Sequence, residues 1–169
     1  MKRQIWMVLV MGMASLLVLA MAAPNFSGSW VRDSAKSDPV ADALWLTRSP
    51  APQGQGGRGS NVEAVMTVRQ EGDKLLVGFQ GETYEYTLDG KAHTSTAATG
   101  VEKTVAKANW QGETLVVERS QPYSGMPGNI TLQIKEEWSL SADGKALVIG
   151  ITRSFPGVVK TSKQVFHRK

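Results

Sequence analysis

From residue 62 to the C-terminus, apolar and polar residues alternate along the chain, and short Gly-containing segments interrupt the alternation. A two-residue period puts apolar side chains on one face of a β-strand and polar side chains on the other. A Gly beside a polar residue supplies the positive φ that tight hairpin loops need. The interruptions are Glu71-Gly72-Asp73, Gln80-Gly81, Asp89-Gly90, Gln111-Gly112, Asp143-Gly144 and Pro156-Gly157. The pattern therefore predicts an antiparallel meander.

A long meander has two edge strands that must be hidden, and closure into a small barrel hides them while it creates an interior. We therefore expect an all-β fold, an antiparallel barrel of about 8–10 strands. A short first strand is expected over 26–31, and 39–46 favours one short helix with Asp38 as its N-cap. The Pro/Gly-rich stretch 47–60 is expected to be a flexible loop.

The turn positions also predict which apolar residues lie opposite one another on the inner face. The expected pairs are Val68 with Val77, Met66 with Phe79, Tyr84 with Val77, Tyr86 with Leu75, Ala106 with Val117, Ala108 with Leu115, Leu140 with Leu147, and Trp138 with Ile149. In this register Arg153 lies opposite Ile134 and diagonal to Glu136.

Residues 1–23 have the organisation of a secretory signal peptide. Lys2 and Arg3 form a basic start, residues 5–21 are almost uninterruptedly apolar, and Ala20-Met21-Ala22 matches an A-x-A cleavage site. A retained membrane anchor is the alternative, since the apolar run approaches the shortest length that spans a bilayer. We expect export to a bacterial periplasm or beyond, with residues 24–169 forming a single barrel domain and no stable membrane insertion after cleavage.

Composition narrows the chemistry further. The chain has no Cys, so packing rather than disulfides must stabilise it and no lipid can be attached at a lipobox. Lys2 and Arg3 carry two of the four excess positive charges, and the +2 left on residues 24–169 is too small a footprint for nucleic acid. Only His93 and His167 are present, so no metal-ligand spacing is recognisable and we expect no metal or cofactor.

The sequence offers no recognisable catalytic constellation. It has no Gly-x-Ser-x-Gly motif, and no Ser-His-Asp set has sequence support. Glu136 and Glu137 are adjacent in a strand and so face opposite sides, which argues against a catalytic carboxylate pair. We therefore expect no catalytic residues and no enzymatic activity.

Three charged residues occur in phase with the apolar, inward-facing rows: Arg119, Glu136 and Arg153. An unpaired charge inside a barrel would cost several kcal/mol, so each needs a partner or water. In one interpretation Arg119 or Arg153 binds a ligand carboxylate in an apolar cavity. The candidate ligand-binding residues are then Phe79, Tyr84, Tyr86, Arg119, Glu136, Trp138 and Arg153. In the other, Glu136 forms an internal salt bridge with Arg153, or the charges reach solvent near the barrel mouth.

The stretch Phe26-Ser27-Gly28-Ser29-Trp30 places a Gly-x-Trp motif on the first strand of an antiparallel chain. It resembles the opening of calycins, the group that contains lipocalins and fatty-acid-binding proteins. Residues 25–38, with the Gly-rich loop after them, resemble exported, largely uncharacterised lipocalin-like bacterial proteins. The resemblance implies that Phe26, Gly28 and Trp30 form a structural motif, in which the Trp packs across the closed end of the barrel and the Gly permits its close approach.

The chain also departs from these families. It lacks the Thr-Asp-Tyr-like element of a lipocalin proper, and 33–60 offers at most one short helix where a fatty-acid-binding protein has two. The ligand class of either family is therefore not transferred.

We expect an exported soluble β-barrel protein that binds a small apolar or amphipathic ligand in its interior. The alternative is a non-catalytic structural or interaction module of the cell envelope with a filled core, acting through the 47–60 loop or an edge strand. The sequence identifies no protein partner. An outer-membrane barrel is disfavoured because the outward rows carry charges rather than a lipid-facing apolar band, namely Lys103, Lys107, Glu118, Lys135 and Glu137.

Overall fold

The computed structural model describes residues 23–39, 65–79, 82–96, 103–123 and 130–169. These residues form ten strands: β1 Gly28–Arg32, β2 Val65–Glu71, β3 Lys74–Phe79, β4 Glu82–Thr87, β5 Ala92–Thr96, β6 Lys103–Gln111, β7 Thr114–Tyr123, β8 Ile130–Leu140, β9 Ala146–Phe155 and β10 Val158–Arg168. The described ranges contain no helix, and therefore none that is long and apolar enough to cross a membrane. The expected signal peptide, short helix and 47–60 loop lie almost wholly outside them.

All ten strands belong to one antiparallel sheet with the order β4-β3-β2-β1-β10-β9-β8-β7-β6-β5. Strands that are consecutive in the chain pair with each other, except β4 and β5, which are the two ends of the sheet. In addition β1 pairs with β10 and so joins the two halves of the meander. The ends of the sheet approach each other, because β4 contacts β6 and the β4–β5 connection is bonded on both sides. Leu88 N donates to Asp73 O at 2.6 Å, and Gly90 N donates to Ala108 O at 3.0 Å. The predicted all-β barrel is confirmed as a nearly closed one.

Most of the predicted registers are confirmed. Val68 lies opposite Val77, and Leu140 lies opposite Leu147. The β6–β7 hairpin differs, because Gln111 pairs with Thr114 and the turn residues are Gly112 and Glu113. The expected pairings of Ala106 with Val117 and Ala108 with Leu115 are therefore wrong by two residues: Ala106 faces Arg119, and Ala108 faces Val117. A slip of two residues keeps each side chain on its face, so the inner row remains as predicted.

One end of the barrel, where β1 begins and β10 ends, is closed by large aromatic side chains; we call it the closed end. Phe26 and Trp30 are fully buried there, and the Trp30 indole N–H donates to Phe26 O at 2.8 Å. The Phe26 ring stacks on Trp110 at 5.4 Å and meets Trp138 edge-on at 6.0 Å between ring centroids. Such pairs add to the stability of the buried apolar area. The predicted packing of Trp30 across the closed end is confirmed.

Gly28 permits a close approach at this end. Its φ is +146°, and a Cβ built on it would lie 2.9 Å from Arg168 Nη1. The Arg168 guanidinium lies 4.5 Å from the Trp30 ring centroid, and its Nη1 donates to Ser27 O at 2.8 Å. This arrangement gives the Gly-x-Trp motif its physical role, because the cation covers the ring from the side that Gly28 leaves open.

The segment that follows β1 is hydrogen-bonded along β10. Asp33 N donates to Val165 O at 2.8 Å, and Val165 N donates to Ser37 Oγ at 2.9 Å. Farther along, Lys163 N donates to Asp38 Oδ2 at 2.6 Å. Residues 33–38 therefore extend the junction between the first and last strands beyond the end of β1, and they account for the burial of Val165.

Candidate functional site

A buried ion pair crosses from β7 to β8 inside the barrel. Arg119 Nη2 donates to Glu136 Oε1 at 2.5 Å, and the two side chains are 4% and 0% exposed. The Trp138 indole N–H donates to the other carboxylate oxygen, Glu136 Oε2, at 3.0 Å. Both oxygens of Glu136 thus have a donor, as a buried carboxylate requires.

The partner of Glu136 corrects the sequence interpretation, which paired it with Arg153. Arg119 on β7 and Arg153 on β9 both face Ile134, from opposite sides of β8, so both are diagonal to Glu136. The structure gives the carboxylate to Arg119, which is buried, while Arg153 is only half-buried.

The electrostatics of the pair keep it charged. Burial has the largest single effect and would lower the pKa of the Arg119 guanidinium. The charge and hydrogen bond of Glu136, together with Tyr86 and Tyr84, outweigh burial and raise that pKa above its ordinary value. Arginine does not lose its proton in proteins, so Arg119 is a fixed cation. The pair therefore brings one positive and one negative charge into the interior, and these two charges compensate each other.

Tyr86 completes this part of the interior. It lies on β4, is buried, and faces Leu75 on β3 as predicted. Burial raises the pKa of the Tyr86 hydroxyl, with smaller opposing effects from the charges of Arg119 and Glu136, so the phenol is neutral. We refer to Tyr86, Arg119 and Glu136 together as the polar layer.

The polar layer separates two differently packed halves of the barrel. On the side of the closed end most inward side chains are fully buried, among them Leu115, Trp138, Leu147 and Ile149, while Trp110 and Leu140 are partly buried. On the other side, toward the end where β9 turns into β10, several inward side chains keep partial exposure; this is the open end. They include Tyr84, Ala106, Arg153 and Phe155.

The structure brings together all seven residues that the sequence singled out, in distinct positions. Arg119, Glu136 and Tyr86 form the polar layer, and Trp138 is hydrogen-bonded beneath it. Phe79, Tyr84 and Arg153 lie on the open-end side, with Phe79 buried and the other two half-buried. Their role in binding a ligand stays a prediction.

Sequence reasoning missed a second polar contact in the inner row. Gln164 on β10 is buried, and its Oε1 accepts from Arg32 Nε at 2.7 Å. Its Nε2 donates to Asp38 O at 3.2 Å. The sequence does indicate that Gln164 faces inward, because it is two residues before Phe166, which is buried, and so lies on the same face of β10. This contact secures the 33–38 segment to the barrel.

Among the described residues, no group of three His, Asp or Glu side chains is arranged to hold a metal ion. Two hydrogen-bonded pairs of a histidine and an aspartate occur near the surface instead. His167 Nε2 lies 2.7 Å from Asp33 Oδ2, and His93 Nε2 lies 2.9 Å from Asp89 Oδ1. Each of these pairs links two segments of the chain, and neither pair lies in the barrel interior.

Comparisons with known proteins find solved structures with a similar fold. No protein-family model and no curated protein sequence matches the chain. Among solved structures, a zebrafish ileal bile acid-binding protein complexed with cholic acid is similar, with a TM-score of 0.55, 17% identity, and 85% of this chain and 98% of that chain covered. Lipid binding protein 8 of Caenorhabditis elegans gives a TM-score of 0.53 with 9% identity and coverages of 85% and 95%. A fatty acid transporter gives 0.51 with 16% identity and coverages of 85% and 97%.

These identities are low, so the likeness is one of fold. It confirms the calycin-like barrel that the Gly-x-Trp motif and the hairpin series indicated.

Proposed function

We propose that this protein binds a small apolar or amphipathic molecule in the half of its barrel between the polar layer and the open end, without catalysing a reaction on it. The observation that carries the proposal is the difference in exposure across the polar layer. Most inward side chains below it are fully buried, whereas Tyr84, Ala106 and Phe155 above it are only partly buried. Similar barrels named for bile acid binding and fatty acid transport support the same kind of ligand.

We further propose that the protein is exported, in a bacterium, and acts in the periplasm or outside the cell. This proposal depends on the basic start, the apolar run and the A-x-A site in residues 1–23. Identifying the N-terminus of the protein recovered from its host's periplasmic fraction tests it. A mature N-terminus near residue 24 supports export, and an intact N-terminus in the cytoplasm contradicts it.

Binding is tested with a matched pair of variants on β6. Ala106 faces the interior and is partly buried, whereas its neighbour Val105 faces outward and is 39% exposed. Ala106→Phe should fill the space next to Arg119, and Val105→Phe should add the same ring to the outer surface. Binding of a neutral fluorescent probe such as Nile red should be lost in the first variant and retained in the second. Equal binding by both variants would contradict an interior site.

A filled barrel acting as an envelope interaction module is the second candidate, and the dense packing below the polar layer favours it. The same pair of variants distinguishes ligand binding from a filled barrel. If the open-end half is also filled, the unmodified protein will not bind the probe. Ala106→Phe will then lower the midpoint of thermal unfolding by overpacking. Native mass spectrometry of protein isolated from its host adds an independent test, since a co-purifying small molecule supports binding and its absence supports the filled barrel.

A further inference from the structure

We propose that the β9–β10 hairpin docks on the surface of a bilayer that contains anionic lipid. The contact is made by residues 155–159 at the open end of the barrel, which we call the tip. This inference goes beyond the proposed function, because it concerns an outer surface and needs no molecule in the interior. It rests on the exposure, the shape and the charge of the hairpin.

Apolar side chains are exposed side by side at the tip. Three large apolar side chains of the described residues are exposed, and two of them are neighbours here: Val158 is 48% and Val159 is 66% exposed. Pro156 is also exposed, and Phe155 is only half-buried. Single exposed apolar residues are normal on a protein surface, whereas a contiguous group marks a surface that contacts a protein, a membrane or a ligand.

The shape of the tip favours a bilayer over a protein partner. Val158 and Val159 are consecutive in β10, so their side chains leave opposite faces of the hairpin, and both are exposed. Pairing of β9 with β8 ends at Ser154, and the hydrogen bonds from residues 33–38 to β10 end at Lys163. Within the described residues, the tip therefore extends beyond its paired neighbours. Two apolar faces suit a bilayer interface, which surrounds the tip, better than a flat protein surface, which covers one face.

The turn holds this shape without a long loop. Phe155 pairs with Val158, so Pro156 and Gly157 are the two turn residues. Pro fixes its own φ, and Gly157 has a φ of +79°, as the second turn residue of a type II turn requires. The valines are therefore presented on a stiff hairpin, and docking loses little conformational entropy.

The charges on this part of the chain select an anionic surface. Residues 144–169 contain no Asp or Glu. Lys160 and Lys163 are exposed, and Lys160 lies directly opposite Arg153. Asp38 approaches the hairpin from the side of β1, where its Oδ2 accepts from the Lys163 backbone N–H. Basic residues close to an anionic bilayer are attracted to it over about a Debye length, roughly 8–10 Å at ordinary salt.

The spacing along β10 fits a shallow insertion. A strand rises about 3.3 Å per residue, so Lys160 follows Val158 by about 7 Å. Apolar groups of interfacial anchors lie about 5–10 Å into the boundary between headgroups and acyl chains, which puts Lys160 at the level of the lipid phosphates. Deeper insertion is opposed, because the outer backbone groups of the hairpin would lose water without gaining partners. Docking is therefore peripheral and reversible.

A single fluorescent label tests the contact directly. The chain has no Cys, so Val159→Cys gives one attachment site for the polarity-sensitive dye NBD. Val105→Cys is the matched control, because Val105 is an exposed valine far from the tip, and the neighbouring Lys107 lies opposite Glu118. Vesicles of phosphatidylcholine with about one third phosphatidylglycerol should raise the emission of the label at 159 at least about twofold and leave the label at 105 unchanged. Both variants are isolated from the host, because an uncleaved apolar N-terminus would bind vesicles by itself.

Charge variants measure the electrostatic part of docking by vesicle co-sedimentation. Lys160→Gln/Lys163→Gln should weaken binding to the anionic vesicles about fivefold for each charge removed. Lys74→Gln/Lys145→Gln removes the same charge at the closed end and should change binding little. Raising the salt from about 0.1 M to about 0.5 M should weaken binding of the unmodified protein.

Apolar variants measure the contribution of the valines in the same assay. Val158→Ser/Val159→Ser should weaken binding at least about fivefold, because the tip then has less apolar surface to bury. Val105→Ser should bind like the unmodified protein. Circular dichroism confirms that each variant is folded before affinities are compared.

Several results would overturn the inference. The protein fails to bind the anionic vesicles, or the labels at 159 and 105 respond alike. Vesicles of phosphatidylcholine alone bind the protein equally well, so the charges select nothing. The label at 159 already emits as in an apolar environment without vesicles, so a second copy or another segment of this chain covers the tip. Nile red binding is measured separately, so loss of docking leaves the proposed function standing, and loss of Nile red binding leaves docking standing.

Discussion

Removing one member of the buried Arg119–Glu136 pair should destabilise the protein more than replacing both. Arg119→Met leaves the Glu136 carboxylate fully buried with a single remaining donor, the indole N–H of Trp138. Breaking a buried pair from one side typically costs about 3–5 kcal/mol, because a charge is left without compensation. Folded domains are stable by only about 5–15 kcal/mol, so the loss would be a large fraction of the total.

The double variant should recover most of this loss. In Arg119→Met/Glu136→Gln no charge remains in the interior, and the Gln carbonyl still accepts the Trp138 N–H. Replacing both members of a buried pair by uncharged groups is often nearly neutral, so we expect a loss within about 1–2 kcal/mol of the unmodified protein. Glu136→Gln alone should resemble Arg119→Met, because the guanidinium keeps its charge.

Urea unfolding followed by tryptophan fluorescence gives the four free energies of this double-mutant cycle. An exposed pair on the same strand, Lys135 Nζ and Glu137 Oε1 at 2.8 Å, is the matched control, since its side chains are 43% and 49% exposed. Its coupling should be too small to measure. If the losses at Arg119 and Glu136 simply add to within about 0.5 kcal/mol, the pair is not coupled and the reasoning is refuted.

Three further changes test the closed end and the β1–β10 junction. Trp30→Ala should cost about 3–5 kcal/mol in urea unfolding, as a truncation of a fully buried ring, and an unchanged midpoint would contradict closure by that ring. Gly28→Val should lower the melting temperature because φ is +146°, whereas Gly150→Ala, where a Cβ meets only a backbone oxygen at 4.0 Å, should be tolerated. The hydrogen bond from His167 holds the pKa of Asp33 below its ordinary value of 3.8. The stabilisation from this Asp33–His167 hydrogen bond should therefore be complete above about pH 4 and lost at lower pH. In Asp33→Asn the melting temperature should change less with pH in that range.

The alternation of residues was sufficient to predict the faces of the strands, because a two-residue period fixes the side on which each residue lies. It was not sufficient for every register. The β2–β3 and β6–β7 hairpins both use Gly as the first turn residue, with φ of +57° at Gly72 and +62° at Gly112. Placing the second turn one residue too early moved the predicted partner of Ala106 from Arg119 to Val117. The inward-facing residues of β6 were still predicted correctly, but the pairing of Ala106 with Arg119 in the candidate site was not.

Strand register alone cannot predict which arginine pairs with Glu136. Arg119 and Arg153 occupy equivalent diagonal positions on the two sides of β8, so strand pairing alone does not tell which of them binds the Glu136 carboxylate. What distinguishes them is the next strand on each side. Arg119 faces Ala106, a small side chain that leaves room for the guanidinium to remain inside, whereas Arg153 faces Lys160, a like charge.

Like charges directly opposite in a sheet destabilise each other, so Lys160 makes Arg153 the less favourable partner for a buried carboxylate. Arg119 has no such neighbour, and closure of the barrel brings the buried Tyr86 close enough for the two to interact. This last contact joins strands that are far apart in the sheet order, so it depends on the closure and not on local sequence. The pairing of Glu136 with Arg119 rather than Arg153 therefore depends on the residues opposite the two arginines. Lys160→Ala should shift that balance by removing the like charge opposite Arg153, so Arg119→Met should cost less stability in urea unfolding when Lys160→Ala is also present. An equal loss in both backgrounds would show that Lys160 does not decide which arginine pairs with Glu136.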